Sequence, residues 1–199
     1  MNDAIPSQAI VAISTVVAAL ITGVIAMVNL TLSKEQKISE LRQAWIDGLR
    51  ADLATLLSNI RFLTIAIYEH YDGLDKKIDY PHKVTGLQAT ELKAAVTESL
   101  YRIKLRLNKN ESPHNILEDL IDSIVLEANS NTTDNETYLN NMLDKIEQTS
   151  MQSRIILKAE WDRVKRGENA FNNLRRWLVP VIVVLMSLFS SVILLANFK

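Results

Sequence analysis

The chain has 199 residues, 48% of them hydrophobic and 23% charged, with a formal net charge of −1. That balance excludes nucleic-acid binding through a global basic excess, and the absence of cysteine excludes a disulfide framework or a thiolate site. With 5 glycines and 4 prolines there are too few turn formers for a β-rich fold, so long helices joined by few loops are expected.

Residues 1–8 read as a short non-cytoplasmic tail, and residues 9–32 as a first transmembrane helix. This apolar run holds no charged residue, and its only strongly polar side chains are Asn29 and a few hydroxyls. At about 1.5 Å per residue it covers a hydrocarbon core of about 30 Å. A cleaved signal peptide needs a basic start and a shorter apolar core, whereas this tail carries Asp3 and no Lys or Arg. A retained anchor is therefore expected. Within it, Thr15, Ala19 and Gly23 are spaced four apart, as are Ala18, Thr22 and Ala26. Small residues at that spacing let membrane helices approach closely.

Residues 33–176 read as a helical domain on the cytoplasmic side. Ile38, Leu41, Trp45, Leu49, Leu53, Leu56, Ile60, Leu63 and Ile67 recur at steps of three and four, an apolar stripe on one face of a continuing helix. Glu40, Asp47, Arg50 and Arg61 mark its polar face. Such a helix reaches roughly 50 Å beyond the membrane surface. A break is expected over Tyr71–Gly86, at Asp72-Gly73, Pro81 and Gly86. A second helix is expected over Leu87–Leu107, with Leu92, Val96, Leu100, Ile103 and Leu107 inward. Ser112-Pro113 reads as an N-cap followed by proline at the first helical position of a third helix, Pro113–Ala128, with Ile116, Leu117, Leu120, Ile121 and Ile124 inward. Asn129–Asn135 is a polar loop. A fourth helix starts near Asp134 or Asn135, with Leu139, Leu143, Ile146, Ile156, Leu157, Trp161 and Val164 on its buried side. It is expected to run on into the second anchor, with Gly167 a weak point.

The second transmembrane helix is expected at 177–197, with 198–199 a non-cytoplasmic tail. Trp177 and Phe198 suit the two interfaces, Pro180 sits in the first turn, and Ser187 and Ser191 repeat the small-residue spacing. Lys34, Lys37 and Arg42 follow the first anchor, and Arg175 and Arg176 precede the second, behind Arg163, Lys165 and Arg166. These topology determinants put 33–176 in the cytoplasm and both termini on the periplasmic side of a bacterial inner membrane. The fold class expected is all-α, with two terminal transmembrane helices flanking an antiparallel cytoplasmic helical bundle.

No enzyme signature is present, and neither a catalytic residue, a cofactor nor a metal is expected. Glu69, His70, Asp72, Asp75, Asp79 and His82 could in principle supply metal ligands, but their spacing matches no defined site and reads as a solvated turn. Arg102, Lys104, Arg106 and Lys109 lack interleaved aromatics and read as a solvated helix face, so direct nucleic-acid binding is not expected. The basic run at 163–176 could hold anionic lipid head groups, although topology already accounts for it.

The segment Ser33-Lys34-Glu35-Gln36-Lys37-Ile38-Ser39-Glu40-Leu41-Arg42-Gln43-Ala44-Trp45-Ile46-Asp47-Gly48-Leu49-Arg50 resembles the juxtamembrane stretch of many small bacterial membrane proteins. The layout of two anchors around a helical domain is similar to that of the two-transmembrane effectors of retron anti-phage systems. That resemblance implies an effector of abortive infection, held silent by a reverse transcriptase with its RNA–DNA hybrid and released to damage the inner membrane. Self-association through the small-residue faces fits such a role. The alternative is a passive membrane adaptor whose bundle docks a soluble partner.

Overall fold

The computed structural model describes residues 7–80, 82, 84–130, 134–166 and 169–197. They form five helices: α1 Ser7–Lys76, α2 Gly86–Arg106, α3 Ser112–Ala128, α4 Asn135–Arg166 and α5 Asn169–Asn197. No strand occurs among the described residues. Residues 131–133 and 198–199, most of the N-terminal tail and Gly167 fall outside the description, so the expectations placed on them do too.

Local chemistry sets the helix ends. α2 starts at a capping box: the Thr85 hydroxyl accepts from the Gln88 backbone N–H, and the Gln88 side chain accepts from the Thr85 N–H. At α4, the Asp134 carboxylate accepts from the Thr137 N–H at 3.0 Å. This bond and the one from the Thr137 hydroxyl, the largest influence, hold the Asp134 carboxyl below its usual pKa. Two expected ends move. Helix α1 does not break at Tyr71 but continues to Lys76, because Gly73 stays helical. The N-cap of α3 is Glu111, not Ser112; its carbonyl receives the first helical bonds, from the N–H groups of His114 and Asn115.

The contacts divide the chain into two units, 1–41 with 163–199, and 42–162. In the first unit, every residue between Val11 and Lys37 is exposed except Ser14, Val17, Ile21, Val24, Val28, Thr31 and Glu35. These seven follow steps of three and four without a slip, a heptad seam. On α5, Leu178 and Leu185 are the only side chains described between Asn173 and Leu194 that are not exposed, and they too are seven apart. Among the described residues one helix, α1, is long and apolar enough to cross a membrane, and only 6% of its most apolar window is buried, unlike a core helix. The apolar stretch among the described residues of α5 is shorter, Arg176–Leu188.

The second unit holds the core. Leu49, Leu53, Leu56 and Ile60 of α1 meet Ile103 of α2, Leu117, Ile121 and Ile124 of α3, and Met142, Ile146 and Ile156 of α4. Each such side chain contributes roughly 1.5–3 kcal/mol of gross burial. Neighbouring helices run in opposite directions. Asp52 of α1 meets Arg106 of α2, while Glu69 meets His82 just before α2. The Gln152 amide of α4 donates to the Pro113 carbonyl of α3, while Asn141 donates to Glu127. Four expected core positions lie outward instead: Leu41, Ile67, Ile116 and Trp161 are exposed. Ile46, Met142 and the polar Thr149, Ser153 and Glu160 are buried in their place.

Candidate functional site

The end of α1 and the start of α2 enclose a cleft of about 580 Å³. Its floor is apolar, with Leu63, Ala66, Ile67 and Leu74 from α1, Ile78 and Val84 from the connection, and Ala89 from α2. The chain turns back sharply. Lys77 adopts a left-handed φ of 55°, and the Ile78 N–H donates to the Gly73 carbonyl at 3.1 Å, closing the last turn of α1. Gly73 is required there, because a Cβ would come 2.7 Å from the Ile78 carbonyl oxygen.

Two polar straps hold the returning segment. The Tyr80 hydroxyl donates to Asp72 at 2.6 Å, and Lys76 Nζ lies 2.7 Å from the other Asp72 oxygen. Hydrogen bonds from Lys76 first and Tyr80 second hold the Asp72 carboxyl below its usual range. The same carboxylate pushes Lys76 and Tyr80 up. Farther along, His82 Nδ1 is 2.9 Å from both Glu69 oxygens, and the His82 ring lies edge-on to Phe62 with centroids 6.1 Å apart.

Of the six residues from Glu69 to His82 considered as ligands, Asp72 is engaged by Tyr80 and Lys76 and Glu69 by His82, and the six do not come together as a ligand group among the described residues. The one group of three potential ligands among the described residues is elsewhere: Glu111, His114 and Glu160, with ligand atoms within 4.8 Å of one another. His114 is buried and stacks on Trp45 at 6.0 Å. Its Nδ1 accepts from the Asn108 backbone N–H at 2.9 Å, and Glu160 faces Arg42 at 3.2 Å. A neutral ring that accepts on Nδ1 carries its proton on Nε2. A cation on Nδ1 would displace the Asn108 N–H, and one on Nε2 would force a proton onto Nδ1 against that same N–H. Arg42 already supplies positive charge. The group therefore reads as a buried polar knot tying the α2–α3 turn to α1 and α4. Periodicity missed it because none of its members is apolar.

The basic residues at and just beyond the end of α2, Arg102, Lys104, Arg106 and Lys109, face carboxylates. Arg106 Nη1 and Asp52 Oδ2 touch at 2.8 Å, both buried, without hydrogen-bond alignment. Lys104 pairs with Asp122, Lys109 lies 3.6 Å from Glu118, and Arg102 pairs with Glu98. This is an ion-paired seam between helices rather than an open basic face.

In the first unit, Thr15, Ala19, Gly23, Ser187 and Ser191 are all exposed and off the heptad seam. A Cβ at Gly23 would meet nothing within 4 Å. The hydroxyls of Ser14, Thr15, Thr22 and Thr31 donate to carbonyls four residues back, and within α5 Ser187 donates to the Val184 carbonyl three back and Ser191 to the Ser187 carbonyl four back. Of the topology determinants, Lys34 is exposed, Lys37 pairs with Glu40, Arg42 pairs with Glu160 and Arg176 is exposed. The side chain of Arg175 is outside the description.

No protein family, curated protein or solved structure matches the chain.

Proposed function

We propose that the chain is a membrane-embedded effector whose segments 9–32 and 177–197 span a bacterial inner membrane, with 33–176 cytoplasmic and both termini periplasmic. The carrying observation is the surface of α1. Between Val11 and Leu32 it exposes mainly apolar side chains away from one heptad seam, and the hydroxyls of Ser14, Thr15, Thr22 and Thr31 bond to its own backbone. Lipid suits such a surface, since the bilayer offers no water to satisfy a free hydroxyl. The exposed face of Thr15, Ala19 and Gly23 leaves room for a second copy, and close packing of copies is the route by which the anchors perturb the bilayer. The resemblance to retron effectors suggests an inhibitory partner made of a reverse transcriptase and its RNA–DNA hybrid.

The adaptor reading has its own support in the cleft between α1 and α2, where a soluble partner can dock. One experiment separates the two. Cells expressing the chain, with and without phage challenge, are followed with a membrane-potential dye, while reporter fusions at Asn131 and after Lys199 read topology. The effector depolarises the membrane, with a cytoplasmic signal at Asn131 and a periplasmic one after Lys199. Unchanged potential under both conditions moves the assignment to the adaptor, and a periplasmic signal at Asn131 overturns the topology.

A further inference from the structure

We propose that the cleft between α1 and α2 binds a single-chain amphiphile with an anionic head. Its volume of about 580 Å³ is that of a small-molecule site rather than a packing defect. Its apolar floor, from Leu63, Ala66, Ile67, Ile78 and Val84, suits an alkyl chain. The charge of the head follows from which polar groups on the lining are already engaged. The Glu69 carboxylate is held by His82, and Asp79 also has a partner. Two nitrogen-bearing groups are not engaged in this way. Among the described residues the Lys93 ammonium makes no ion pair or hydrogen bond, and the His70 ring makes no hydrogen bond and lies edge-on to the Tyr71 ring. A lysine beside an apolar hollow favours a ligand that brings its own negative charge. The Glu69–His82 strap fixes the far wall, so the hollow exists before the ligand arrives.

The three histidines make the test direct. His70 and His82 line the cleft, whereas His114 lies in the buried knot and serves as an internal control. The full chain, in lipid nanodiscs and labelled at the histidine ring carbon, is titrated with octanoate, octyl phosphate or octanol, each below its aggregation threshold. We expect saturable shifts of the His70 and His82 signals with an anion, no movement of His114, and affinity for octanol weaker by about tenfold, the scale of one charge-assisted hydrogen bond. Whichever anion binds more tightly names the head as carboxylate or phosphate. Lys93→Gln should bring the anions to the level of octanol, and Lys93→Arg should keep them apart. Ala89→Leu, with an unmoved His114 signal as proof of folding, should weaken all three ligands. Absence of saturation, equal binding of octanol and the anions, or parallel movement of His114 would overturn the proposal. It stands whether or not the membrane effector reading does.

Discussion

Arg42 Nη1 lies 3.2 Å from Glu160 Oε2, joining α1 to α4 across 118 residues of sequence. The Glu160 side chain is 8% exposed and that of Arg42 27%, so the carboxylate depends on its cation more than the reverse. An arginine whose sequence position suggested a topology signal is also a structural clamp.

Arg42→Ala should therefore destabilise the 42–162 unit by about 2 kcal/mol, less than the roughly 3–5 kcal/mol of a fully buried pair because Arg42 keeps some water. Adding Glu160→Gln should recover part of the loss by removing a buried charge that no longer faces Arg42. Amide exchange at Leu49 and Ile156 reads both. A double variant no more stable than Arg42→Ala would mean that the pair contributes little.

Gly48 and Arg106 make a second coupled pair. A Cβ at Gly48 would meet the Arg106 Cζ at 2.9 Å, where the guanidinium crosses α1 to reach Asp52. Alanine in a helix gains about 1 kcal/mol over glycine, but here it must push a paired cation aside. Gly48→Ala should be destabilising in the native chain and stabilising when Arg106 is already alanine. The same sign in both backgrounds would show that Gly48 is not there for Arg106.

At the end of α1, Lys77→Gly should stabilise the turn by about 0.5–1 kcal/mol, since glycine tolerates the left-handed φ that lysine now adopts. Gly73→Ala should do the opposite, because its Cβ would collide with the Ile78 carbonyl. Ile78 amide exchange, slower in the first variant and faster in the second, is the measure.

The Tyr80–Asp72–Lys76 strap has a pH window. The Asp72 carboxyl titrates below its usual value, so its contribution is complete above about pH 3.9 and is lost as pH falls through the lower folded value. Tyr80 titrates above its usual value, so its contribution is complete below about pH 10 and is lost as pH rises through the higher folded value. Opening of the Ile78 amide should therefore rise at both extremes, and Asp72→Asn should abolish the acid limb. A Tyr80 phenol that ionises like free tyrosine would refute the alkaline limb.

Gly23→Leu keeps the first span apolar and long enough to insert. With open space around Gly23 in the single chain, it should leave the fold unchanged and, on the effector reading proposed above, keep membrane localisation but relieve depolarisation by blocking approach of a second copy. Equal depolarisation at matched expression would discard Gly23 as a packing residue.

Much of the core was legible in the sequence. Leu49, Leu53, Leu56 and Ile60 obey the apolar period, and so do Ile103, Leu117 and Ile121. The period failed at Leu41, because before Arg42 the helix belongs to a different unit with a different shielded face, whereas the buried Ile46 lies within 42–162 and was passed over for its neighbour Trp45. Buried polar residues were not legible. Thr64, Thr149 and Ser153 satisfy their hydroxyls on their own helices, which leaves no pattern to read. Glu160 and His114 are satisfied by partners that only the folded chain brings near. The cleft, too, depends on how the chain returns after Lys77, which the pair Asp72-Gly73 suggested only as a break.

The seam from Ser14 to Glu35 gives α1 a phase as well as a length. Inserting two residues into this stretch lengthens the apolar run but turns all that follows by about 200°, carrying the shielded side chains to the opposite face. Inserting seven restores the phase while adding about 10 Å of reach. A bilayer around this stretch would sense only reach, whereas a helix packed along the seam would sense only phase. A ladder of insertions between Val24 and Val28 would therefore give a periodic response where helix pairing matters and a monotonic one where bilayer thickness does, so that the two demands on a single helix can be told apart by arithmetic.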